Sequence, residues 1–324
     1  MTTSFWKQSP GPHWSHYMKS LWTPVQHPFL FQTAFPRPTF GTYEILDVSN
    51  TREIIQFYTE HYAMFPKSRV CLTEELLETF LVRDGTVMIG IRQEALLVGC
   101  IFLRHLGSLQ SGVQAGSPPP QAVLVDFFCV HREHRKMGIG TKLLQATVYE
   151  GTQRGIQVYF FVKEGLPHLH CPPLRTSTYI WRPRTKPAPV NLKRFLRQSD
   201  QLPRGVELWN SPRFSHHTTV YECTAFKPSV YVGITDMFHR SDAGGLTMGE
   251  IVWVWYDTSK GQLEEQQVQR VIETVVDSCS FDLLFMDVSL PHDKSLWTTD
   301  VTYSWYAFNY HPMRFFTTSL ALTF

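Results

Sequence analysis

Between Val125 and Gly140 the chain reads VDFFCVHREHRKMGIG, and an amphipathic stretch, TKLLQATVYEG, follows at once. An apolar run ends in a basic turn, and two glycines stand one residue apart before a helical pattern begins. Glycine lets backbone N–H groups approach a ligand with no Cβ in the way, and the first turn of a helix is electropositive. Arg132, Arg135 and Lys136 add positive charge on the approach to it. The chemistry these residues suit is the holding of a diphosphate, along Arg135, Lys136, Met137, Gly138, Ile139, Gly140 and Thr141. RKMGIG is neither the dinucleotide fingerprint nor a Walker sequence, which would close on Lys-Ser/Thr. A plain tight turn is the competing reading of two glycines.

Other reactive side chains are less organised. His168, His170 and Cys171 have no distal partner at metal-binding spacing and are followed by prolines, so they are assigned to structure or to a peptide pocket, and no metal is expected. Cys129 lies beside the turn, but side chains alternate along a strand, and a core thiol is the expectation for it. Asp282 and Asp287 are five residues apart around a strand and need not share a face; Asp287 suits a cap or a turn as well as a channel wall.

Elements that could position the turn follow from periodicity. Ile54, Ile55, Tyr58 and Tyr62 fall on one stripe of a helix over 51–64, and Thr73 caps a second helix reaching Leu81. Thr86–Arg92 and Ala95–Leu103 read as a hairpin, and 107–121 as a surface loop. Ala122–Val130 is almost continuously apolar, as a central strand should be. After the 135–140 turn a helix is expected from Thr141 to Thr152, facing the sheet with Leu143, Leu144, Thr147 and Val148, and then a strand over Gln157–Val162. The Pro-, His- and Arg-dense stretch 167–189 reads as an ordered excursion. Further strands are expected at Thr219–Phe226, Ser229–Thr235, Glu250–Tyr256, FDLLFMDV and VTYSWYAFNY, with a helix over Glu264–Cys279 that buries Val268, Val271, Ile272 and Val275. The pattern is mixed α/β, and it divides into an aromatic, Pro-rich arm (1–40), a first unit (41–201) and a second unit (202–324).

Composition sets outer limits. In 324 residues, 30 basic side chains against 28 acidic ones leave the chain nearly neutral, so an anion site must be local and a broad nucleic-acid surface is excluded. Six scattered cysteines without paired spacing are expected to be reduced and buried. The start MTTSFWKQSP lacks a leader pattern and no apolar run reaches membrane length, so a soluble, cytoplasmic protein is expected.

The RxxGxG turn at Arg135–Gly140 resembles the acyl-CoA turn of the GCN5-related acyltransferase superfamily. VDFFCVHREHRK more narrowly resembles eukaryotic protein N-myristoyltransferases. Weaker matches keep the same order along the chain: FWKQSP at Phe5–Pro10, ALLVGCIF at Ala95–Phe102, GLP at Gly165–Pro167, YIWRP at Tyr179–Pro183, VNLKRF at Val190–Phe195, FDLLFMDVSL, AFNY with HPM, and the terminal SLALTF. Against the family pattern, the turn is less basic and carries the Gly138/Gly140 pair, and the second half is short.

The resemblance implies an α/β, mixed-sheet acyl-CoA acyltransferase fold made of two related halves in tandem. It implies transfer of myristate from myristoyl-CoA, the acyl donor, to the N-terminal glycine amine of proteins or peptides by a monomeric enzyme. By the same match the backbone amides of Phe127 and Phe128 form the oxyanion hole, and the α-carboxylate of Phe324 takes the amine proton. Phe5 and Trp6 cover the bound CoA, Cys129 and Val130 continue its binding strand, and Tyr179, Trp181 and Asp287 border the acceptor. A short-chain, acetyl-CoA-dependent N-acyltransferase and a non-catalytic binder of acyl-peptides or CoA are the alternatives.

Overall fold

A computed structural model describes residues 29–30, 43–62, 68–83, 85–108, 120–165, 171–185, 192–196, 218–241 and 245–311. In chain order its elements are β1 (Phe29–Leu30), β2 (Tyr43–Leu46), α1 (Thr51–His61), β3 (Ser68–Val70), α2 (Glu74–Glu78), β4 (Val87–Gln93), β5 (Leu96–Ser108), β6 (Gln121–Val130), α3 (Ile139–Gln153) and β7 (Ile156–Glu164). They continue with β8 (Arg175–Pro183), β9 (Leu192–Leu196), β10 (Thr218–Cys223), β11 (Val230–Ser241), β12 (Thr247–Tyr256), α4 (Glu265–Ser278), β13 (Leu283–Asp287), β14 (Thr298–Phe308) and β15 (Tyr310–His311). The arm's Phe29 and Leu30 pair antiparallel with His311 and Tyr310.

Local chemistry explains the main elements. Thr73 accepts the Leu76 N–H at the start of α2, which is the capping the sequence pattern asks for. Glu94, in the left-handed region at φ +56°, turns β4 into β5. The apolar stripes of α3 and α4 are buried as their spacing requires, through Leu143, Leu144, Thr147 and Val148 on one and Val268, Val271, Ile272 and Val275 on the other.

Thirteen strands form one sheet in the order β2-β4-β5-β6-β7-β14-β8-β13-β12-β11-β10-β9, with β3 joining β11. The two halves repeat one plan. Antiparallel strands lead to a parallel pair joined by a helix, β6-α3-β7 in the first half and β12-α4-β13 in the second. At the centre the halves exchange strands. β8 of the first half pairs with β13, β14 of the second pairs with β7, and β8 and β14 pair with each other. Stretch 167–189 therefore holds a central strand rather than only an excursion: prolines and arginines at its ends obscure the TSTYIW core, which is bonded on both edges.

Helices cover the sheet on both sides of β6. Ile139, Leu143 and Leu144 of α3 pack with Val123, Val125 and Phe161, whereas Ile54, Phe57 and Tyr58 of α1 pack with Phe127 and Cys129. Five of the six cysteines are buried as expected; Cys71, in the short link between β3 and α2, is exposed. No helix among the described residues is long and apolar enough to cross a membrane.

Gly99 fixes how closely α3 approaches β5. A Cβ there would lie 2.8 Å from Ile139 Cγ2 and 2.9 Å from Leu143 Cδ1, both fully packed. Gly99→Val should cost about 1–3 kcal/mol by overpacking. Urea unfolding checks this, and an unchanged midpoint would show that α3 is free to lift away.

Candidate functional site

Strand β6 changes character halfway along. Gln121–Val125 pair in parallel with β7, but Asp126–Val130 pair only with β5, while Phe161–Glu164 of β7 pair with β14. Beyond Val125 the two parallel strands therefore part, at their C-terminal ends and on the side where α3 starts. Ligands of open α/β sheets enter at such a place.

The parting coincides with a bulge. Between Cys100↔Cys129 and Phe102↔Asp126 two residues of β6, Phe127 and Phe128, oppose one of β5. Phe127 takes up the left-handed region, with φ +48°. For a bulky residue that conformation must be held from outside. Asp126 Oδ1 accepts the Phe127 N–H at 2.7 Å, and the buried Tyr58 hydroxyl donates to the Phe127 carbonyl. Asp126 Oδ2 accepts from the Arg104 guanidinium at 2.6 Å. Arg104, 4% exposed, lies 5.1 Å from the Phe80 ring centre and 6.0 Å from those of Phe127 and Phe238. Phe238 belongs to the second half and has its own left-handed bulge, φ +57°, whose N–H goes to Asp236 at 2.6 Å.

The basic turn follows directly. His131 caps the short 3-10 turn Arg132–His134 by accepting the Glu133 N–H at 3.3 Å, and its Nδ1 also meets His134 Nδ1 at 3.2 Å. The His61 ring lies 3.9 Å from that of His131. Arg135, itself exposed, donates to the carbonyls of Val130 (3.2 Å) and His61 (2.7 Å), tying the end of α1 to the turn. Arg132, Lys136 and Met137 are exposed. Lys136 and Gly138 are left-handed, at φ +67° and +83°.

Helix α3 starts at Ile139, two residues before the expected Thr141, because Gly138 is its N-cap. Gly140 therefore lies inside the helix rather than in the turn, and its lack of a side chain serves a contact: a Cβ there would be 2.9 Å from Cζ of the half-exposed Phe128 ring. Ile139 is buried and Thr141 is partly so. The first N–H groups of a helix have no partner within it, and here no side chain caps them and no acid stands in the first turn. Helix α4, at the equivalent place in the second half, is closed by a capping box of Glu264 and Gln267 and carries Glu265 in its first turn. Of these two crossover helices, α3 alone offers an anion its N-terminus, and the residues present fit a diphosphate.

Burial holds the Cys129 thiol up at about 12, against the pull of Arg135 and Arg132, which suits a core residue and not a nucleophile. Cys171 is likewise buried and pushed to about 12 by desolvation. Phe5, Trp6, His168, His170 and Phe324 lie outside the described residues. Among the described residues no group of three or more His, Cys, Asp or Glu side chains is placed to hold a metal ion.

The residues expected at the acceptor share one face of the central strands. Tyr179 pairs with Asp287 and Trp181 with Phe285. Tyr179 is buried, donates to Glu250 Oε1 at 2.6 Å, and meets the Tyr303 ring edge-on at 5.0 Å. Trp181 is half-buried, its ring 6.4 Å from Phe285. Asp287 accepts the Ser289 N–H at 2.8 Å and so forms a turn. Tyr62 links this group to the bulge: its ring lies 6.2 Å from Phe127, and burial, then Asp126, Cys129 and Glu164, raise its hydroxyl well above the ordinary range. Tyr303 is raised by burial and by Glu164, Asp300 and Glu250. Burial, with Asp300, also raises the Glu164 carboxyl.

The sequence pattern places Tyr58 and Tyr62 on a helix stripe without a role at the site, and does not single out His61, Arg104, Asp126, Glu164, His239, Glu250 or Tyr303. A charged residue set into an apolar strand was the available signal for Arg104, Asp126 and Glu250. His61 and Tyr303 carried none, since their roles depend on contacts between distant segments.

Comparison with known proteins gives the fold. Residues 51–168 match the Acetyltransferase (GNAT) family. A search of the curated proteins finds no match. Saccharomyces cerevisiae N-myristoyltransferase with bound myristoyl-CoA is similar in structure, with a TM-score of 0.66 and 14% identity over 95% of this chain and 92% of that one. A second structure of the yeast enzyme, with bound myristoyl-CoA and inhibitors, gives 0.65 and 14% over 95% and 90%. The fold is thus a mixed α/β, GNAT-like acyltransferase fold, its open mixed sheet resembling the two-lobed architecture of N-myristoyltransferase.

A buried histidine beside the bulge gives the site a pH dependence. His239 is 4% exposed, and its Nδ1 has no hydrogen-bond partner. Burial, aided by Arg240 and opposed by Asp126, lowers it from 6.5 to about 4. The unfolded chain takes up a proton below 6.5 that the folded chain resists, so stability falls as pH falls through this window, by on the order of 3 kcal/mol. His61, lowered by burial and by the like charge of His131, acts in the same direction. Urea unfolding across the window should give a shallower fall for His239→Leu than for the parent, and parallel profiles would show that His239 is solvated.

Proposed function

We propose that the protein transfers myristate from myristoyl-CoA to the N-terminal glycine amine of proteins or peptides. The observation that carries this reading is the uncapped, left-handed entry to α3 at Gly138, set beside the point where β6 bulges and parts from β7. One end of that arrangement suits a diphosphate, and the other presents backbone amides to a thioester oxygen. Likeness to the yeast enzyme along nearly the whole chain supports the choice of acyl group.

In this reading the glycine amine attacks the thioester carbon, a C–N bond forms, the C–S bond breaks, and the CoA thiolate leaves. An amide of the Phe127/Phe128 bulge stabilises the developing oxyanion, and the amine proton passes to a base, the role that the resemblance gives to the Phe324 carboxylate. Tyr179, Trp181 and Asp287 border the acceptor, and Phe5 and Trp6 cover the CoA. Burying about 12 methylenes at roughly 0.8 kcal/mol each offers on the order of 10 kcal/mol before ordering costs, enough for pocket depth to select chain length. The protein acts as a cytoplasmic monomer.

A short-chain reading is favoured by one observation, the match of residues 51–168 to an acetyltransferase family. Turnover of acetyl-, myristoyl- and palmitoyl-CoA against peptides beginning with Gly or Ala, or carrying an internal Lys, followed by intact mass, separates the two. A myristoyl amide on the Gly peptide alone is the expected product. Acetyl transfer would move the assignment to the short-chain reading, and tight CoA binding without product would make the protein a non-catalytic binder.

Gly138→Ala tests the anion end separately. A Cβ there meets nothing within 4 Å, so the substitution acts through the left-handed backbone alone. A strain of about 1–2 kcal/mol should weaken myristoyl-CoA binding by roughly 5- to 30-fold. Isothermal titration reads this directly, and unchanged affinity would place the diphosphate elsewhere.

A further inference from the structure

Two residues of the bulge are expected to share the oxyanion, yet the Phe127 amide already has a partner in this structure. The Phe127 N–H points to a carboxylate, Asp126 Oδ1 at 2.7 Å. A carboxylate beside a developing oxyanion opposes it unless its charge is balanced, and Arg104 stands 2.6 Å from the other oxygen. Arg104 is in turn seated against Phe80, Phe127 and Phe238, so its position is set by α2's neighbouring turn, by the bulge itself and by the second half. The carbonyl side of the same residue is held by the Tyr58 hydroxyl from α1. Phe127 is thus fixed at both its N–H and its carbonyl in a backbone conformation that a Phe seldom adopts, φ +48°.

We propose that Asp126 is a positioning residue for acyl transfer. Its neutralised carboxylate locks Phe127 in the left-handed bulge, and of the expected pair the Phe128 amide, not the Phe127 amide, receives the thioester oxygen. Phe128 suits that task, because its ring is already laid against Gly140 in the first turn of α3. One residue therefore spans the acyl and diphosphate ends of the site. The proposal rests on the acyltransfer reading for its kinetic consequence but not for its geometry.

Asp126→Ala removes the acceptor of the Phe127 N–H. It should lower the rate of acyl transfer on the order of 100-fold, the scale of a misplaced catalytic group, with KM for myristoyl-CoA within about twofold of the parent. Because Arg104 would lose its carboxylate partner, the paired variant Asp126→Asn with Arg104→Gln is made alongside. It keeps the amide acceptor while removing both charges, and it should recover most of the lost rate. Hydrogen exchange at the Phe127 amide is followed in all three proteins, and should be slow in the parent and in the paired variant and fast in Asp126→Ala. A rate unaffected by Asp126→Ala overturns the proposal. So does a paired variant as slow as Asp126→Ala with its Phe127 amide still protected, which would make the charge, and hence proton transfer, the function of Asp126. If the parent transfers no acyl group at all, the acyltransfer reading fails by itself, and equal Phe127 exchange in parent and Asp126→Ala would then overturn the positioning role.

Discussion

One strained residue organises the site. Phe127 at φ +48° stands just past Val125↔Phe161, the last parallel pair of β6 with β7, where the two strands part. A left-handed Phe costs free energy on the order of 1–3 kcal/mol, so the conformation persists only where surrounding contacts determine it. Those contacts come from every part of the molecule that meets here: Tyr58 from α1, Arg104 from β5, Asp126 from β6 itself, and Phe238 from the second half. The packing on this face of the sheet holds a backbone shape as well as excluding water.

The repeated plan of the halves makes their difference informative. Both contain a parallel pair crossed by a helix. They differ at the helix entrance. Gly138 in the left-handed region leaves the first turn of α3 bare, whereas Glu264 and Glu265 fill that of α4 with negative charge. An anion favours the first and is repelled by the second. The second half instead supplies Tyr179's partner Glu250, together with Tyr303 and Asp300, to the face beside the bulge. Exchange of β8 and β14 across the centre brings those groups toward the place where β6 and β7 part.

Much of the first half was legible in the sequence, because its signals are local. The apolar run of β6, the glycine before α3 and the stripe of α3 each depend on neighbours within a few residues. The entrance to α3 was displaced by two residues because two glycines look alike in sequence: one supplies a left-handed cap, while the other makes room for the Phe128 ring. Strand β8 was hidden by the prolines and arginines at its ends, and only pairing on both edges reveals it as central. Arg135 read as a ligand for phosphate from its type and place; its tie to the carbonyls of Val130 and His61 was not legible, because His61 lies far away in sequence. The Asp126–Arg104 pair and the Tyr58 bond join residues 22 and 69 positions apart, a separation at which no periodicity speaks.

A crystal structure with a non-hydrolysable myristoyl-CoA analogue tests the central claim most directly. The diphosphate is expected at the first turn of α3, with Gly138 still left-handed, and the acyl oxygen about 2.7–3.1 Å from the Phe128 amide nitrogen where β6 and β7 part. A diphosphate bound away from α3, or an acyl oxygen directed away from the bulge, would contradict it.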